Sequence, residues 1–214
     1  SGGTTISGGT LALTGNGTAG TQSGLITVGS GAALDVQNTV ANAVTLNGGT
    51  LETTTGAGIV NGQVTLNGSN IFSTGNHAAL TVSGVITDGT PAGALAVNGA
   101  GTVTLTGVNT FSGGTTINGG TLALTGSGTA GASTGAITVN NGAALDLQNT
   151  LANALTLNGG GTLETTSGTG IVNGLVTLNG GNADDVLVGG LGGRGLAILA
   201  TEDVAAQVIR RGMH

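Results

Sequence analysis

Aliphatic and small polar residues alternate along this chain in short runs. Val44 and Leu46 flank Thr45, and Val64 and Leu66 flank Thr65. A period of two places the aliphatic side chains on one face of a strand and threonine on the other. The runs predict strands at Thr10 to Leu13, Leu25 to Val28, Ala32 to Val36, Ala43 to Leu46, Thr50 to Thr53 and Gln63 to Leu66. Further strands are predicted at Thr121 to Leu124, Ala136 to Val139, Ala143 to Leu147, Ala154 to Leu157, Thr162 to Thr165 and Leu175 to Leu178. Glycine supplies the positive φ needed where such strands end, and asparagine tolerates the same conformation. The pairs Asn47-Gly48, Asn67-Gly68, Asn158-Gly159 and Asn179-Gly180 therefore read as turns.

The second set of strands is a copy of the first. Ser1 to Asn70 returns as Ser112 to Asn182 with one glycine inserted near Gly161, and roughly four in five positions are identical. Within a copy the landmarks Ile6, Ile26, Val44 and Val64 recur about every 18 to 20 residues, the length of one solenoid coil with two or three short strands. Coils of this size stacked at strand spacing predict an all-β fold, a right-handed parallel β-helix (β-solenoid). About ten short coils would make a rod roughly 50 Å long. An antiparallel hairpin meander is the competing architecture, because Asn-Gly is also the strongest hairpin signal. Near-identical copies stack in register most readily when parallel, which favours the solenoid. The expected organisation is a β-helix body over residues 1–181, with duplicated units 1–70 and 112–182 joined by 71–111. A divergent C-terminal coil and cap follows over 182–214.

Composition sharpens this picture. The chain has 46 glycines in 214 residues, one proline, and no cysteine, tryptophan or tyrosine, so its core is left to Val, Ile, Leu and Ala with Phe72 and Phe111. There is no lysine, and Arg194, Arg210 and Arg211 all lie near the C-terminus. A body that is acidic wherever it is charged is a poor partner for nucleic acid. No apolar run has the length of a membrane span, so no membrane insertion by this segment is expected.

The segment Gly99-Ala-Gly-Thr-Val-Thr-Leu-Thr-Gly-Val-Asn-Thr-Phe-Ser-Gly-Gly-Thr-Thr-Ile-Asn-Gly-Gly-Thr-Leu-Ala-Leu124 joins the two copies. It closely resembles the autotransporter-associated β-strand repeat of bacterial passenger domains, and Ala79 to Thr90 resembles the coil that leads into it. The resemblance implies a β-helical stalk of an exported surface protein, whose repeat helps the passenger fold after crossing the outer membrane. The motif usually carries tyrosine where Phe111 stands. Ser1 to Ile6 enters the same motif halfway, and an uncapped first coil would expose a strand edge to neighbouring copies.

The tail departs from the repeat. Gly180 to Val188 and Gly189 to Ala197 are weakly similar to two degenerate calcium-binding nonapeptides of secreted toxins, with Ala183 in place of a glycine and Arg194 in place of the aspartate. Asp185, with Asp184, falls short of the six or more oxygens that calcium requires, so no metal or other cofactor is expected. Thr201 to Gly212 reads as a capping helix, with Thr201 at its N-cap, acids in the first turn and Arg210 and Arg211 in the last.

Candidate chemistry is sparse. Asp35 and Asp146 are equivalent in the two copies, as are Glu52 and Glu164, and each stands alone between aliphatic residues. His77 has no carboxylate or second histidine near it in sequence. A polysaccharide-cleaving β-helix would need clustered acids, bases and aromatic platforms. The expectation is no enzyme and no catalytic, cofactor or metal residues. The leading function is a structural or adhesive β-helical stalk segment of a secreted or cell-surface bacterial protein. Its partners would be a host or matrix surface, or neighbouring copies through the solenoid ends. The alternatives are a self-assembling extracellular fibre subunit and an ice- or glycan-binding surface built on threonine. The latter is weakened because the outer faces mostly alternate Thr with Ala, Asp or Glu.

Overall fold

The computed structural model describes residues 2–180 together with the short strands Val186–Val188, Ala197–Ile198 and Val208–Ile209. Among these residues every regular element is a β-strand of two to six residues. Each strand pairs in parallel with a strand one coil away and never with its neighbour in sequence. The chain is therefore a β-solenoid, and the hairpin meander is excluded. Asn47-Gly48 and Asn67-Gly68 carry the chain from one face to the next, with the glycines at φ 72 and 65.

Three faces run along the rod. The first stacks Thr4–Ile6, Ile26–Val28, Val44–Asn47, Val64–Asn67 and Ile86–Asp88. The second is a nine-stranded sheet from Gly9–Leu13 to Val176–Asn179. The third, also nine-stranded, runs from Thr39–Val40 through Ala57–Val60 and Ala144–Leu147 to Val208–Ile209. Beyond Ile86–Asp88 the first face continues without strands. Thr110 N–H donates to the Ile86 carbonyl, and Ala132 N–H donates to the Phe111 carbonyl. Strands resume in that stack at Thr150–Leu151, Ile171–Val172 and Ala197–Ile198.

This arrangement puts the two copies out of phase with the coil. Thr4–Ile6 lies on the first face, whereas its counterpart Thr115–Ile117 is the sixth strand of the second face. Ala32–Val36 lies on the second face and its counterpart Ala144–Leu147 on the third. The second copy thus begins five coils and one face after the first, and equivalent surfaces point in different directions.

The core consists of columns. On the second face Leu11, Leu34, Leu51, Phe72, Val97, Ile117, Val139, Leu157 and Leu178 succeed one another in register. Val60, Val82, Leu105, Leu124 and Leu147 do the same on the third face. Nearly all of these side chains are fully buried, as are both phenylalanines. Each contributes about 1.5–3 kcal/mol by leaving water. Glycine enters where corners approach one another too closely for a side chain. A Cβ on Gly62 would lie 1.9 Å from the Asn42 carbonyl oxygen, and one on Gly84 would lie 1.9 Å from that of Gly62. Gly174 repeats the contact against Asn153 in the second copy.

The coils are longer and less even than the landmarks predict. In-register partners are separated by as few as 17 residues, from Ala33 to Thr50, and by as many as 26, from Ile171 to Ala197. The rod accordingly has about eight turns rather than ten, or about 40 Å at strand spacing. The extra residues sit in irregular loops such as 14–25 and 125–136. Most of the expected capping helix, from Thr201 to Gly212, lies outside the described residues. Its described pair, Val208–Ile209, is instead a strand in register with Leu187 and Val188, as suits two adjacent β-branched residues. Most of the expected calcium nonapeptides, including Asp184, Asp185 and Arg194, also lies outside the described residues.

Denaturant unfolding tests this packing. Phe72→Ala is expected to cost about 3–5 kcal/mol and Gly62→Ala about 1–3 kcal/mol, whereas the outward Thr45→Ala should stay within about 0.5 kcal/mol.

Candidate functional site

Three polar systems lie on or just beneath the solenoid surface. The first consists of asparagines that fasten loops to the coil above. Asn42, buried on the first copy, donates through Nδ2 to the carbonyls of Thr21 and Gly24, both at 2.7 Å. Its counterpart Asn153 donates to Ala132 and Gly135, both at 2.8 Å. Asn38 and Asn149 hold the same loops further along, at Gly15 and Gly17 and at Gly126 and Gly128. Within the joining motif, Asn109 accepts the Ile86 N–H at 2.8 Å and donates to the Thr129 carbonyl at 2.6 Å. Irregular backbone has no strand partner, and an unpaired buried carbonyl is costly. These side chains therefore let long loops exist inside a stacked fold.

The second system is an external asparagine ladder at the strand ends of the second face. Asn118 donates to the side-chain oxygen of Asn98 at 2.9 Å, Asn140 to Asn118 at 2.8 Å, Asn158 to Asn140 at 2.8 Å and Asn179 to Asn158 at 3.1 Å. Beside it Thr116, Thr138, Thr156 and Thr177 stack in register, and Thr5, Thr27, Thr45, Thr65 and Thr87 form a similar column on the first face. Each is a single column. The positions before those first-face strands include the exposed Leu25, Ala43, Gln63 and Val85, so no second threonine column runs beside the first on that face.

The third system contains the carboxylates. Asp35 and Glu52 do not stand alone: they are register partners on adjacent strands, and so are Asp146 and Glu164. Asp35, only 4% exposed, accepts hydrogen bonds from Gln37 Nε2 at 2.7 Å, Thr54 Oγ1 at 2.6 Å and Thr54 N–H at 3.1 Å. Asp146 accepts the same set from Gln148 at 2.8 Å and from Thr166 at 2.6 and 2.9 Å. Burial, reinforced by the neighbouring aspartate, raises Glu52 and Glu164 above the usual glutamate range. Coils of 17 and 18 residues bring the two pairs together, at or below the short end of the spacing of the aliphatic landmarks, and the alternation along the sequence does not display which acids share a register.

Asp88 lies in the joining segment and has no counterpart in either copy. It accepts the Ser112 hydroxyl at 2.7 Å and the N–H groups of Ser112 and Gly93 at 3.0 and 2.7 Å. The Ser112 hydroxyl is the main cause that lowers its carboxyl below the usual aspartate range. It thereby ties the joining motif to the coil beneath. His77 lies exposed in the turn after Ser69–Thr74, in the left-handed region at φ 60. Among the described residues no three of the His, Asp or Glu side chains gather to hold a metal ion.

Residues 1–13 and 95–124 match the model of the passenger-associated-transport-repeat family. These are the start of the first coil and a stretch that runs from the joining segment into the second copy. Over 110 residues, 51% of this chain, the sequence is 37% identical to the adhesin BmaC autotransporter of Brucella suis biovar 1 (strain 1330), and the chain spans only 3% of that protein's length. No solved structure matches. The matched repeats and the relative agree with the resemblance to autotransporter passenger domains that the sequence carries, and the β-solenoid is the fold that resemblance implies. They lend no support to a fibre subunit or an ice-binding surface.

Two substitutions separate the polar systems. Asn42→Ala should cost about 1–3 kcal/mol by stranding buried carbonyls, while Asn118→Ala on the exposed ladder should cost under about 1 kcal/mol. A third acts through pH. Because the folded Asp88 carboxyl is lowered, its contribution is present above the ordinary value of 3.8 and is lost as pH falls through the folded value. Asp88→Asn should therefore melt below wild type at neutral pH, with the gap closing in strong acid.

Proposed function

We propose that this chain, an autotransporter passenger segment built on passenger-associated transport repeats, is a non-catalytic stretch of stalk that also offers an adhesive surface. It acts outside the cell, secreted or on the cell surface. The observation that carries the reading is the unbroken in-register column of apolar side chains under outward threonine and asparagine ladders. Such a body transmits length and stiffness, and its outer groups are neutral donors and acceptors suited to broad, shallow contact with a host or matrix surface. Catalysis has little support in this geometry. The buried carboxylates Asp35 and Asp146 spend their lone pairs on a glutamine of their own coil and on threonine and backbone donors of the next, and sequence positions 1–193 contain no lysine or arginine to stabilise developing charge.

Beads coated with the chain test the reading in one format. They should adhere to matrix-coated or host-cell surfaces above beads carrying an unrelated β-solenoid, and they should release no product from a panel of polysaccharides. Turnover that disappears on Asp35→Asn or Asp146→Asn would replace the proposal with an enzyme.

A further inference from the structure

The stacked pairs Asp35–Glu52 and Asp146–Glu164 have no role in adhesion as proposed, yet the duplication reproduces both their register and their hydrogen bonds. We propose that they make the solenoid acid-tightening: the rod gains stability as its surroundings fall from neutral to mildly acidic pH. Register partners on parallel strands hold two carboxylates at about the 4.8 Å strand spacing, where like charges oppose stacking. The aspartate of each pair is fixed in place by three hydrogen bonds and is nearly inaccessible to water, so it cannot swing away. The glutamate is the half-buried member, free of such bonds and open to protonation from solvent.

Among the described residues the surroundings offer little to offset the repulsion. Glu52 lies between Asp35 on one side and Ser73 on the other, and Asp35 has Ala12 beneath it. Glu164 lies between Asp146 and Val188, with Ala123 beneath Asp146. The one other ionisable group on the layers next to Glu52 is His77, exposed in the turn after Ser69–Thr74. No lysine or arginine occurs before Arg194. Protonating one glutamate per pair removes the like-charge contact and leaves every hydrogen bond of the aspartate in place.

The raised titration of both glutamates gives the direction. A folded state that holds the proton more tightly than the unfolded chain has its extra stability in full below the ordinary glutamate value of 4.5, and loses it as pH rises through the raised folded value. Asp88 acts in the opposite direction, but only further into acid, below 3.8. Acidification from neutrality toward the ordinary glutamate value therefore reaches the pairs before Asp88 contributes, and the glutamine variants separate them from His77.

Thermal melts of the whole chain at pH 7.5 and pH 5 test the proposal, with wild type compared to Glu52→Gln, Glu164→Gln and the double variant. Wild type should melt about 2 °C higher at the lower pH. The double variant should melt at pH 7.5 near the acid value of wild type and show no gain on acidification, with each single variant keeping about half. Carbon-detected NMR of the glutamate side chains should place the titration midpoints of Glu52 and Glu164 above those of glutamates in the unfolded chain. A wild type that gains nothing in acid, a double variant that keeps the wild-type response, or ordinary midpoints at both glutamates would each overturn the proposal.

Discussion

Parallel stacking in register is the constraint from which the rest of the molecule follows. Each strand is too short to be stable alone, and each coil closes no core by itself. Stability arises only when an inward apolar side chain sits on another in the next layer, as from Leu34 to Leu51 to Phe72 and onward along the second face. Register also dictates the outer surface, because what is stacked inside at one position is stacked outside at the next. Threonine columns, the asparagine ladder and the carboxylate pairs are all products of one alignment.

Corners are where that alignment meets resistance. Backbone of adjacent coils comes so close at Gly62, Gly84 and Gly174 that no Cβ fits. The long loops 14–25 and 125–136 leave carbonyls without strand partners, which Asn38, Asn42, Asn149 and Asn153 satisfy from the coil above. The high glycine and asparagine content is thus a consequence of stacking uneven coils. The joining segment has a further effect. It advances the second copy by one face, so a surface patch of the first copy reappears about 24 Å along the rod and facing another direction. A duplication of this kind lengthens the stalk while distributing its chemistry around the circumference.

Much of the fold was legible because periodicity is a local signal. Strands at Ala32–Val36, Thr50–Thr53 and Thr121–Leu124 coincide with the expected alternations, and most others differ by a residue at one end. Ala57–Val60 was missed because Gly58 occupies an inward position and breaks the aliphatic pattern. The joining strands Ser69–Thr74 and Ala94–Gly99 were missed because they lie outside the duplicated template. Contacts between coils were not legible, since they depend on loop lengths that range widely about the expected spacing. Asp35 and Glu52 therefore read as isolated acids, and nothing in the sequence singles out Asn42 and Asn153. The joining motif was the one functional signal that needed no geometry, because its order of residues is distinctive in itself.

The phase of the second copy offers the most direct test of stacking as the governing constraint. The chain has no cysteine, so paired cysteines can carry nitroxide spin labels at chosen outward positions without background. Ala96 and Thr116 are register partners across the joining segment, whereas copies stacked in phase would instead seat Thr116 over Thr87 on the first face. Labels at Ala96→Cys and Thr116→Cys should show strong dipolar broadening, and labels at Thr87→Cys and Thr116→Cys should not. The reverse pattern, or broadening in neither pair, would contradict the stacked architecture described above.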